Sequence, residues 1–130
     1  MLIKWAALVL RLHASIIFLI AAALIIQPIK VLTYLGVASQ LENSQFSWLV
    51  RCIGIVLLIP ALLAPLVAAF AGERGLRQAC SGMGFIHCGL AAWLLLSPTL
   101  TGLGKWSSAS LSLVIGAAYF LVLRGRRRNR

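Results

Sequence analysis

Residues 5–26 read WAALVLRLHASIIFLIAAALII. As a helix rising ~1.5 Å per residue, this run is long enough to cross a hydrocarbon core of about 30 Å. Runs of the same kind lie at about residues 46–70, 79–98 and 106–123, and the first reaches residue 27. The 130-residue chain is 62% hydrophobic, with a mean hydropathy of +1.00. A soluble domain of this size has no core large enough to hide so much apolar surface. The expected architecture is all-α: one membrane domain, residues 1–130, folded as an integral membrane four-helix bundle. The connecting segments leave no room for a soluble domain.

The first run has the Lys4 charge and apolar stretch of a signal peptide. Arg11 interrupts it, however, and no small-x-small cleavage site precedes Gln27 and Pro28. It is expected to be retained as a helix.

The net charge is +10, and its distribution follows the positive-inside rule. With a cytoplasmic N-terminus, Lys4, Arg11, Arg74, Arg77, Arg124, Arg126, Arg127, Arg128 and Arg130 fall inside, against Lys30, Arg51 and Lys105 outside. Both termini are therefore expected in the cytoplasm, with the chain in the cell (inner) membrane. The basic tail, residues 124–130, reads as a topology anchor that also meets anionic headgroups. Nucleic acid is not an expected partner.

Trp5, Trp48 and Trp106 suit the membrane interfaces. After Pro28, residues Ile29, Leu32, Leu35 and Gly36 are spaced for a short amphipathic helix, on the membrane or capping the bundle. Residues 42–45, ENSQ, read as a polar turn, and AGERGLRQ, residues 71–78, as a short inner loop. Pro60 and Pro65 predict a kink in the second span. The third run carries Gly82, Gly84 and Gly89, and the fourth Ser107, Ser108, Ser110, Ser112 and Gly116. Small residues of this kind let membrane helices pack closely.

The chain contains no aspartate, and its two glutamates, Glu42 and Glu73, fall between the runs. Proton-coupled pumps hold a carboxylate within the membrane. Hydrolytic triads need an orienting acid, and phosphoryl transfer needs metal-binding acids. No catalytic residue is assigned, and the chain reads as a non-enzyme. Cys52, Cys80 and Cys88, an odd number at different depths without a CxxC, read as apolar thiols. Cys80, His87 and Cys88 do not share one helix face, so no metal site is assigned.

The polar groups expected within the membrane are Arg11, His13, Arg51 and His87. The arginines are candidates to hold a lipid headgroup, quinone carbonyl or anion, or are simple snorkelling anchors. His13 is eight residues past Trp5, and His87 eight past Ala79, so both sit about 12 Å deep from the same face. Two histidines on different helices at one depth are candidates to hold haem b or a chlorin, with Gly84 leaving room for a flat ring. The competing reading is close helix packing with an internal hydrogen bond.

LRLHASIIFLIAAALIIQPIKVLTYLGV (residues 10–37) and LVRCIGIVLLIPALLAPLVAA (residues 49–69) resemble the first half of the small DoxX-like four-helix membrane proteins. Arg11, Pro28, Gly36, Arg51 and Gly54 carry the resemblance. Ala14, Ser15 and Ala21–Ala23 stand where the family has a glycine in its first helix, and the last two helices match only in being apolar. The resemblance implies a four-helix bundle near a membrane redox system that handles quinone or sulfur compounds. It makes Arg11 and Arg51 stronger site candidates.

Three functions follow. The first is a non-catalytic accessory or structural subunit, packed against other membrane subunits or copies of itself and holding no cofactor. The second is a redox-linked protein holding haem, chlorin or quinone through His13 and His87. The third is a carrier of a small lipid or apolar molecule, using the proline-containing second span.

Overall fold

The computed structural model describes residues 2–36, 44–97 and 102–124. These form α1 (Leu2–Ile26), α2 (Pro28–Tyr34), α3 (Ser44–Phe70), α4 (Glu73–Leu96) and α5 (Gly102–Arg124), with no strand among the described residues. Four of the five helices, all but α2, are long and apolar enough to cross a membrane, as a multi-pass membrane protein requires.

The helices are longer than the apolar runs. Residues 73–78, expected in a loop, form the first turns of α4. Gly72 is extended and caps that helix, its carbonyl accepting from the Leu76 N–H at 3.0 Å. Glu73 in the first turn complements the positive end of the helix dipole. Helix α5 likewise starts at Gly102, four residues before Trp106. Polar residues continue a helix past the hydrocarbon boundary at no burial cost, so apolar length underestimates helix length. Helix α3 continues through Pro60 and Pro65, which remove two N–H donors from its ladder. The turn expected at 42–45 and the basic tail beyond Arg124 fall partly or wholly outside the described residues.

Helix α1 pairs most extensively with α3, and α4 with α5; the two pairs then meet through α1 against α4 and α5. Lipid is as apolar as leucine, so close packing rather than the hydrophobic effect joins such helices. Gly54 of α3 shows how close the first pair is. A Cβ there would lie 2.9 Å from Ile25 and 3.0 Å from the Ala21 carbonyl oxygen. In the second pair, a Cβ at Gly116 would lie 3.2 Å from Cys88 Sγ and 3.4 Å from the Gly84 carbonyl. The shared core contains Ala6, Leu10 and Ala14 of α1, Ala64 and Ala68 of α3, Leu76 and Cys80 of α4, and Ile115 and Tyr119 of α5. It gathers the starts of α1 and α4 with the ends of α3 and α5, so the spans alternate in direction.

At the opposite end, α2 covers the start of α5. Pro28 is buried at its first position, where a missing N–H costs nothing. Gly36, at φ 75°, closes the helix by donating to the Thr33 carbonyl. Tyr34 Oη and Ser107 Oγ are hydrogen-bonded at 2.8 Å. A side chain at Gly104 would overlap the Tyr34 carbonyl. Of the two placements expected for the amphipathic segment, this is the bundle cap.

Candidate functional site

Three polar side chains meet inside the bundle where the two helix pairs join. His13 comes from α1, His87 from α4 and Tyr119 from α5. His13 is 2% exposed and Tyr119 is fully buried. The Tyr119 hydroxyl lies 2.6 Å from His13 Nδ1, and His13 Nε2 lies 2.9 Å from His87 Nε2. The two imidazoles meet edge to face, with centroids 4.5 Å apart and planes at 71°. Tyr119 crosses His13 in the same way, at 5.5 Å and 75°.

The alternating directions of the spans place these residues at one level. His13 is 11 residues into α1 and His87 is 14 into α4; Tyr119 is five before the end of α5. The small residues around them allow the approach. Ala14 follows His13 in the core, and Gly116, one turn before Tyr119, brings α5 against His87 Cβ at 3.4 Å from its would-be Cβ.

The donors and acceptors of the three side chains favour one direction of hydrogen bonding. Two facing Nε2 atoms bond only if one is bare, so the rings are not both imidazolium. If Tyr119 donates to His13 Nδ1, His13 Nε2–H donates to His87 Nε2, and His87 carries its proton on Nδ1. That atom is buried without a partner among the described residues. The reverse direction makes His13 Nδ1–H donate to the tyrosine oxygen and leaves the Tyr119 proton without an acceptor as well. One orphaned group costs less than two, so the Tyr119 → His13 → His87 direction is preferred. The array has one open end, at His87 Nδ1.

Of the residues singled out in the sequence, His13 and His87 are brought together. A metal held between two imidazole nitrogens at ~2.0–2.1 Å from each needs about 4 Å between them. The 2.9 Å separation leaves no place for haem iron unless the pair is prised apart. The room expected for a flat ring at Gly84 is filled by Phe120, which stands 3.0–3.3 Å from where a Cβ would be. Among the described residues no group of three or more His, Cys, Asp or Glu side chains is placed to hold a metal ion.

Arg11 and Arg51 are exposed on the outer faces of α1 and α3, away from the array. Gly54 packs beside Ala21–Ile25 and α3 runs antiparallel to α1, so Arg51 and Arg11 sit on the order of 20–25 Å apart along the bundle axis. They do not form one site. Cys80 is buried in the core, while Cys52 and Cys88 are half-buried, and all three are free thiols. Tyr119 is the member that the sequence reading missed. The signal was a tyrosine well inside an apolar run, whose hydroxyl needs a partner there. Comparisons of this chain with protein-family models, with curated proteins and with solved structures find no match.

Proposed function

We propose that this chain is a non-catalytic subunit of a larger membrane assembly, held rigid by an internal polar joint. The observation that carries this reading is the 2.9 Å contact between His13 Nε2 and His87 Nε2. Groups set out for a substrate or metal would keep a free nitrogen in an open site. Here three of the four imidazole nitrogens are spent on protein partners, and the bonds tie α1 to α4 and α5. Outside the joint, the bundle presents large apolar side chains such as Ile55, Ile59, Leu62 and Leu66, suited to lipid or neighbouring helices.

The test is an ultraviolet–visible spectrum, as isolated and after dithionite, of protein purified natively in mild detergent, with the particle mass measured on the same sample. The expected result is no band beyond the tryptophan region and a protein mass, with bound detergent subtracted, larger than one 14.0 kDa chain. A Soret band that shifts on reduction and is lost in His13→Ala would overturn the reading.

One observation favours a second reading, a redox-linked protein that takes up a quinone. His87 Nδ1 is buried without a partner among the described residues, and in the preferred direction it presents an N–H. A quinone carbonyl is a suitable acceptor for it, in line with the DoxX-like resemblance. Quinone co-purifying with the wild type but not with His87→Phe would select this reading over the first.

A further inference from the structure

A groove of about 870 Å³ runs down the outer face of the α4–α5 pair, on the lipid side of the bundle. Its polar end is made by Arg77, Gln78 and Ser81 of α4 and Arg124 of α5. Its apolar length is made by Cys88 of α4 and by Leu113, Ala117, Phe120 and Leu121 of α5. We propose that this groove binds one anionic phospholipid, its phosphate between Arg77 and Arg124 and an acyl chain along the α4–α5 seam.

Length, charge and shape point to the same occupant. From Arg77 to Cys88 is 11 residues of α4, and from Arg124 back to Leu113 is 11 residues of α5. Each span is ~16 Å, and half of a ~30 Å hydrocarbon core is one leaflet. The groove is therefore as deep as one leaflet and has its cations only at the headgroup end. No acidic residue lines it, so an anion there meets two guanidinium groups, with Glu73 one helical turn before Arg77 and outside the lining. Guanidinium binds phosphate through paired N–H donors, and the Ser81 hydroxyl and Gln78 amide lie within the same end. Along the tail, Ala117 and Cys88 leave the trough, while Phe120 forms a wall fixed by its edge-to-face contact with Phe85 at 5.3 Å.

A free phosphate ion would use only the polar end. A second copy of this chain has little to offer two arginines, because its only acids are Glu42 and Glu73. The zwitterionic headgroup of phosphatidylcholine carries its own cation into the arginine pair. An anionic lipid satisfies the whole length of the groove.

The experiment is native mass spectrometry of the full chain released from mild detergent. It is titrated separately with phosphatidylglycerol, phosphatidylcholine and inorganic phosphate. One phosphatidylglycerol is expected to be retained at least 10-fold more tightly than phosphatidylcholine, with inorganic phosphate failing to displace it. Arg77→Gln with Arg124→Gln should weaken that retention on the order of 25-fold, from about fivefold per arginine near an anionic headgroup. Ala117→Trp, at an exposed position, should also abolish it by filling the tail trough, while Lys4→Gln at the same membrane face leaves it unchanged. Helical circular dichroism of each variant shows that the fold is kept. The proposal is overturned by equal retention of the two lipids, by displacement with inorganic phosphate, or by wild-type retention in the arginine variant. A dimer that dissociates on Ala117→Trp would overturn it too, by giving the groove to a second copy.

Discussion

A membrane interior offers a buried polar group few partners, so three meeting at 2.6 and 2.9 Å form a specific joint. Tyr119→Phe removes the donor to His13 Nδ1 and leaves that nitrogen bare. Interhelical hydrogen bonds in membranes average about 0.6 kcal/mol and reach about 1.7, so a loss of about 1 kcal/mol is expected in reversible unfolding from bicelles. The effect should depend on His87. With His87→Phe in place, His13 is released from holding its proton on Nε2, and its imidazole is free to reorient. Tyr119→Phe should then cost less, with a coupling of at least about 0.5 kcal/mol in the double-mutant cycle. Strict additivity would mean that the three side chains do not act as one array. Half of this site was legible in the sequence. His13 and His87 could be set at one depth because both runs enter from the same face. The facing of two side chains depends on helix rotation, which apolar runs carrying few polar residues do not reveal. Tyr119 was hidden because its aromatic ring fits an apolar run and only its hydroxyl marks it as polar.

The four long helices were legible in number and order, because each is an apolar run of bilayer length. Their ends were not, because α4 and α5 begin in residues that are polar or small rather than apolar. The glycines divide in a way that sequence alone does not show. Gly82 and Gly89 have nothing within 4 Å of a would-be Cβ, whereas Gly54, Gly84, Gly104 and Gly116 are packed. Gly89→Ala should therefore be neutral or stabilise by up to about 1 kcal/mol, from the backbone freedom that alanine removes. Gly104→Ala should destabilise by at least about 2 kcal/mol, because the new methyl meets the Tyr34 carbonyl rather than a flexible side chain. Thermal unfolding in detergent, followed by circular dichroism, checks both. Equal effects at the two positions would contradict the close seating of α2 on α5. The stretch GFIHCG, residues 84–89, thus combines three uses: Gly84 seats Phe120, His87 joins the array, and Gly89 faces open space.

The whole molecule is two helix pairs, α1 with α3 and α4 with α5, closed on each other through α1. The hydrogen bonds among His13, His87 and Tyr119 cross the seam between the pairs and add to the shared core in holding them docked. This arrangement was out of reach of the sequence, since short connections suggest neighbours without saying which neighbours pack most closely. An even number of spans returns the chain to the face where α1 starts. The most direct test is nitrogen-15 nuclear magnetic resonance of the protein in bilayers, with histidine labelled in both ring nitrogens. The central claim, that His13 and His87 bond to each other across the seam, predicts a through-hydrogen-bond coupling between their two Nε2 atoms, lost on His87→Phe. Two uncoupled rings, each bonded to water or to another ligand, would contradict it.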